Sequence, residues 1–312
     1  MFFVFMIISI MVVFSVGVMA DNILLGFSQL GSESAWRVAE TKSIRETALD
    51  DPEVDLLFAE GNNNQENQLK AIDFFIEREI DVMLLAPVVE TGWDEALQKL
   101  NDANIPVILV DRGIEKGYED LWDTIVGNEY RTEGQLAAEW IIDEFNGKAN
   151  VVELKGTKGS NPAIERKKGF EDIIADAPDV NVIASEYASF ERSKGREVME
   201  AILNRVDPNT IDVVYAHNDG MALGALQAIE DAGLKPGEDI FLVGIDGVKD
   251  AFKAMMAGKY NLSIESTPLL GPQIIKAAKM LYRGEEVERY IFAKPTLYTQ
   301  DEATEAYPSR VY

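Results

Sequence analysis

VILVDRG, Val107 to Gly113, is an apolar run that ends in an acid, a base and a glycine. A chain that buries Val107, Ile108, Leu109 and Val110 as a strand places Asp111 and Arg112 at its exit, where they either pair with each other or face a ligand. What decides is how the other strands end. Seven more short apolar or β-branched runs occur, at Asn22–Phe27, Asp55–Ala59, Val82–Ala86, Asn150–Leu154, Asn181–Ala184, Asp212–Ala216 and Ile240–Ile245. Between them lie amphipathic stretches such as Glu66 to Glu79, with Leu69, Ile72, Phe75 and Ile76 at helical spacing. Nearly continuous apolar strands alternating with helices predict α/β architecture, with doubly wound parallel sheets covered on both faces. A longer interval holding Tyr118 to Gly127 and a helix from Tyr130 to Asn146 leaves four runs on each side, which predicts two similar lobes.

Ligands of open α/β sheets bind beyond the carboxyl ends of the strands. Those ends read Ser28-Gln29, Glu60-Gly61, Pro87, Asp111-Arg112, Lys155-Gly156, Glu186, His217-Asn218-Asp219 and Asp246-Gly247. Polar residues converge from both halves, and Asp111-Arg112 belongs to that set.

The 312 residues suffice for two domains, and 54 acidic against 29 basic side chains give a formal charge of −25. Such a surface repels phosphate backbones, so nucleic acid is not expected as a partner. Residues 1–20 carry no charge, and Val18-Met19-Ala20 resembles a cleavage site. The expectation is export with removal of this leader and no lasting membrane insertion. A retained anchor is the alternative, because the stretch is long enough to span a bilayer and lacks a basic residue near Met1. Cysteine is absent, so no disulfide reports the compartment and no lipid-modified cysteine tethers the chain.

Several chemistries lack their residues. Gly26 and Gly31 have the glycine spacing of a phosphate loop, but Ser32-Glu33 stands where lysine and Ser/Thr are needed. Ser28 follows Gly26 by two, yet Leu30 replaces the glycine of a nucleophile elbow. His217 is the only histidine, which rules out a multi-histidine metal site and makes zinc improbable in a chain without cysteine. A carboxylate pair from Asp111 and Asp246 would suit glycoside cleavage, but sequence does not fix their separation. No cofactor is expected, and no enzymatic activity.

A resemblance becomes specific across GFSQLGSESAWR (Gly26–Arg37), QENQ (Gln65–Gln68), APVVETGW (Ala86–Trp93), Asp111-Arg112, ERKKGF (Glu165–Phe170), FERSKGREVME (Phe190–Glu200), YAHND (Tyr215–Asp219), AGLKPGEDI and GIDGVKDAFKAMMAG through Gly258. In this order the blocks resemble periplasmic sugar-binding proteins of ABC importers, in the ribose-binding-like, type I group, and most of all its galactofuranose-binding members. The match runs from about Asn22 to Tyr298. It implies two lobes joined by a three-crossing hinge, residues 21–125 plus 265–293 and residues 126–264 plus 294–312, closing on a monosaccharide. It also implies the periplasm, the permease subunits of an importer as partner, and a monomer.

By the same resemblance Trp36 and Phe190 are opposing aromatic walls, although each taken alone reads more readily as core packing. Arg37, Arg112 and Arg166 are donors to hydroxyl groups, and Asp111 and Asp246 are acceptors. Asn218 supplies an amide that both donates and accepts, with a turn role as its competitor. Glu33 and Glu265 are weaker candidates, and His217 is left structural. The expected function is capture of a monosaccharide, galactofuranose or a related aldose, for delivery to an importer. A sugar sensor that presents its closed form to a chemoreceptor or kinase is the alternative, with a cleft glycosidase third.

Overall fold

The computed structural model describes residues 22–312; the leader and its cleavage site lie outside the described residues. The strands are β1 (Ile23–Gln29), β2 (Val54–Glu60), β3 (Val82–Leu85), β4 (Val107–Asp111), β5 (Thr124–Asn128), β6 (Ala149–Lys155), β7 (Val180–Tyr187), β8 (Val213–Ala216), β9 (Phe241–Asp246), β10 (Leu262–Glu265), β11 (Tyr290–Ala293) and β12 (Thr296–Thr299). The helices are α1 (Ala35–Asp50), α2 (Gln65–Glu77), α3 (Asp94–Asp102), α4 (Tyr130–Glu144), α5 (Asn161–Ile174), α6 (Arg192–Leu203), α7 (Asp219–Asp231), α8 (Lys249–Met256), α9 (Gly271–Tyr282) and α10 (Ala303–Ala306). The strands form two six-stranded sheets, ordered β11-β5-β4-β3-β1-β2 and β12-β10-β9-β8-β6-β7. Pairing is parallel except for β10 with β12, as strands joined through helices require.

All eight runs read from sequence are strands, and the two-lobed α/β fold holds. Four further strands were not legible. β5 carries only Ile125 and Val126 as large apolar residues, β10 has Ser263 in its middle, and β11 and β12 are half-exposed along their length. None offers the continuous apolar run that marks a strand buried on both faces.

These four strands also carry the chain between the sheets. It crosses from β5 to α4 after Asn128, from β10 to α9 after Glu265, and from β11 to β12 between Ala293 and Thr296. Position 125, the expected end of the first segment, falls inside β5, whose pairing with β4 continues through Asp111 and Gly127. Glu265, expected to open the returning segment, pairs with Asp246 in the second sheet.

The first core is one cluster around Phe27, Phe75, Leu84 and Leu109. The second sheet has a core on each face, around Phe252 and Met199 on one side and Phe170 and Tyr215 on the other. No helix among the described residues is long and apolar enough to cross a membrane.

Candidate functional site

The carboxyl ends of β1, β4, β6, β8 and β9 meet between the lobes. α1 brings the first group of side chains: Ser34 caps it by accepting from the Arg37 amide, which turns Glu33, Trp36 and Arg37 toward the second lobe. β4 ends on Asp111 with φ of 63°, a left-handed conformation uncommon outside glycine, and its side chain thereby enters the cleft. From the second lobe come Tyr130 at the start of α4, Arg166 from α5, Phe190 before α6, Asn218 at the cap of α7 and Asp246 at the end of β9. Phe190 and Asp246 also have positive φ, 64° and 132°. Three strained backbones in one cleft are the pattern expected where geometry serves a ligand.

These residues line one narrow space between the lobes, about 20 Å³ in this conformation. Arg37 is the hub of its polar wall. Its Nη2 lies 2.7 Å from Asp111 Oδ2 and its Nε 3.5 Å from Glu33 Oε1, while Nη1 pairs with Glu40 behind the wall. Arg112 is held more loosely, its Nη2 3.7 Å from Glu33 and its buried Nε 3.8 Å from Asp111, too far for a hydrogen bond. Arg166 donates from Nε to Glu133 at 2.8 Å and from Nη1 to the His217 carbonyl at 2.6 Å. The Tyr130 hydroxyl, from the second lobe, bonds the Asp111 carboxylate in the first.

Two aromatic walls complete the enclosure. The indole N–H of Trp36 donates to the Ser266 carbonyl at the second crossing. Phe190 lies over Gly156, where a Cβ would overlap its ring, and Arg112 from the opposite lobe stands 5.4 Å from its centroid.

Burial sets the electrostatics. It pushes the Asp246 carboxyl well above the usual range, since Arg166, 4.0 Å away, only partly offsets the lost hydration. It raises Glu133 in the same way despite Arg166. Burial and the neighbouring Arg37 charge pull the Arg112 guanidinium down. Glu33 Oε2 and Arg112 Nε are buried polar atoms without hydrogen-bond partners, and a polyhydroxylated ligand supplies both the donor and the acceptor they lack.

Nine of the ten residues singled out in the sequence line this space: Glu33, Trp36, Arg37, Asp111, Arg112, Arg166, Phe190, Asn218 and Asp246. Glu265 does not. Its carboxylate faces away, toward Arg310 at 2.9 Å and the Tyr312 hydroxyl at 3.2 Å. Asn218 lines the space, but its amide is already engaged, with Oδ1 accepting from the Met221 amide and Nδ2 donating to the Phe190 carbonyl. His217 lies beneath, its Nε2 3.1 Å from Glu153. Sequence reasoning missed Tyr130, Glu40, Glu133 and Ser266. Tyr130 had a signal, since it follows the end of a strand, but that strand was itself not legible. No group of three or more His, Asp or Glu among the described residues is arranged for a metal ion.

Two α/β lobes closing on a polar, aromatic-walled cavity define a solute-binding protein, and the chain belongs to the periplasmic binding protein family, whose domain matches residues 25–286. It is 45% identical to the galactofuranose-binding protein YtfQ of Escherichia coli (strain K12) over 290 residues, 92% of this chain and 91% of that one. Among solved structures, a galactofuranose-binding protein superposes with a TM-score of 0.90 at 44% identity, covering 93% of this chain and 98% of the other. A Mycobacterium smegmatis protein in complex with β-D-fucofuranose gives 0.89 at 42%, covering 92% and 94%.

Proposed function

We propose that the protein captures a free hexofuranose, galactofuranose in the first instance, in the periplasm and hands it to the permease of an ABC importer. The observation that carries this reading is the cavity itself, closed between the lobes, with carboxylates, guanidinium groups and two aromatic rings facing inward. A sugar offers hydroxyl groups that donate and accept around its edge and C–H groups on its faces. Asp111 and Asp246 accept, Arg112 and Arg166 donate, and Trp36 and Phe190 bracket the ring. Each nitrogen of Arg37 already faces a carboxylate, so its role is to hold Asp111 and Glu33 in place as much as to donate.

Ligand is held from both lobes only when they are closed, so its binding energy shifts the open and closed populations toward the closed form that a permease receives. The furanose preference is supported by relatives that are described as binding galactofuranose and fucofuranose. The leader ending at Ala20 supplies export, and the mature chain then starts at Asp21 and acts as a soluble monomer.

Competition calorimetry tests the reading. Galactofuranose is expected to bind more tightly than ribose, glucose or galactopyranose, because a site that hydrogen-bonds a particular hydroxyl discriminates strongly against ligands that lack it. A preference for one of those three overturns the furanose assignment, and binding of no monosaccharide overturns the class. Mass analysis of exported protein checks the start at Asp21; recovery of the intact leader in the membrane fraction contradicts it.

A further inference from the structure

Asp246 is the least supported member of the cavity by its own backbone. Its φ of 132° is a conformation that side-chain-bearing L residues rarely adopt, so neighbouring groups must over-determine it. From below, the Asp219 carboxylate accepts from the Gly247 and Val248 amides at 2.8 and 2.9 Å and from the Ser263 hydroxyl. The Asp246 carbonyl accepts from the Ser266 amide at 3.3 Å and from the Tyr312 hydroxyl at 3.2 Å. Tyr312 is itself fixed: its carbonyl accepts from the Lys249 amide at 2.6 Å, and its hydroxyl lies 3.2 Å from Glu265 Oε1. Glu265 in turn pairs with Arg310, whose guanidinium stacks over Phe252 and Tyr298. Gly247 leaves no slack, since a Cβ there would stand 3.3 Å from both Arg310 and Glu265.

We infer that Tyr312, braced by Glu265 and Arg310, is a positioning residue for sugar binding that aims the Asp246 carboxylate into the cavity by holding its carbonyl from the outside. Glu265 therefore acts at the site through Tyr312 and Asp246. Because Ser266, next to Glu265 at the second crossing, also accepts from Trp36, the same brace links the hinge to both walls. The inference rests on the sugar-binding reading.

The test is calorimetric titration of galactofuranose into the full chain and its variants. Tyr312→Phe, which keeps the ring and loses the hydroxyl, is expected to raise Kd about three- to tenfold, the range for one neutral hydrogen bond, without moving the melting temperature of the sugar-free protein. The single Tyr312 proton is shared between the Asp246 carbonyl and Glu265 Oε1, so Glu265→Gln, which keeps the second acceptor, is expected within about twofold of wild type. In an Asp246→Asn background the Tyr312→Phe effect disappears, because the residue acts through Asp246. Wild-type affinity in Tyr312→Phe overturns the inference, and so does an undiminished loss in the Asp246→Asn background. If wild type binds no monosaccharide, the functional reading fails, and if Asp246→Asn abolishes binding, the cycle cannot be closed. In either event amide hydrogen exchange at Gly247 and Val248 in the sugar-free protein decides: faster exchange in Tyr312→Phe supports the brace, and unchanged exchange removes it.

Discussion

At the scale of single residues, charge and backbone conformation work together. Asp111 carries a charged hydrogen bond to Arg37, receives one from Tyr130, and sits in a left-handed conformation that Asn and Asp tolerate better than other residues. Asp111→Asn therefore isolates the charge, whereas Asp111→Ala adds backbone strain. Loss of a charged hydrogen-bond partner costs about 1.5–3 kcal/mol, so calorimetry on Asp111→Asn is expected to show sugar affinity falling by roughly ten- to a hundredfold. Unchanged affinity would mean that Asp111 does not touch the ligand. Acid stability follows from the pair beneath the cleft. Burial holds His217 below the ordinary histidine range. For Glu153, burial would raise the carboxyl, but the His217 hydrogen bond, with help from Ser185 and Lys167, brings it to about 2. Both groups bind protons less readily folded than unfolded, so stability is full above the unfolded histidine value of about 6.5 and is lost as pH falls, first through His217 and then through Glu153. Glu133 and Asp246, held above the usual carboxyl range, pull the other way, so the pair is read by difference: the stability advantage of wild type over His217→Gln, from urea midpoints, should shrink as pH falls below about 6.5. A pH-independent difference would show that His217 is not coupled to folding.

At the scale of elements, close helix packing aims the site. α4 and α5 meet at Gly134 and Gly169, where a Cβ would stand 2.1 Å from the Arg166 carbonyl and 2.0 Å from the Arg131 carbonyl. Neither contact can yield, because each is to backbone. Arg166 lies one turn before Gly169 on α5, so the packing that excludes a methyl group also sets where the guanidinium points. Gly169→Ala is expected to destabilise the protein by about 1–3 kcal/mol through overpacking and to weaken sugar binding with it. Lys168→Ala, at the exposed neighbouring position, is expected to do neither. Thermal melts and calorimetry on both variants check this, and a Gly169→Ala protein with wild-type stability would show that the two helices have room to part. No reading of periodicity identifies such a glycine, since its role exists only once a second helix is opposite it.

At the scale of the whole molecule, closure is fastened outside the sugar cavity as well as within it. Asn161, at the start of α5, donates to Glu90 at 2.7 Å and accepts from the Gly113 amide at 3.2 Å, both in the other lobe. The Glu90 amide adds a bond to the Gly159 carbonyl across the same gap. Asn161→Ala removes a latch without removing a cavity contact, so stopped-flow tryptophan fluorescence should show sugar released several-fold faster with association little changed. Equal release rates would mean that the latch is not part of the closed state in solution. The same cross-lobe view separates what the sequence determined from what folding decided. The eight apolar runs and their polar carboxyl ends determined the parallel α/β lobes, because burial on both faces leaves a pattern in the consecutive residues of six of them, β2 and β7 being half-exposed edge strands. They placed Asp111, Arg112, Asn218 and Asp246 at strand ends, and the family resemblance added Trp36, Arg37, Arg166 and Phe190. Tyr130, Ser266 and the outward turn of Glu265 were decided only by tertiary structure. Each depends on a residue brought across a crossing, Tyr130 to Asp111, Ser266 to Trp36 and Glu265 to Tyr312, and a hydrogen bond between distant segments leaves no periodicity in either one.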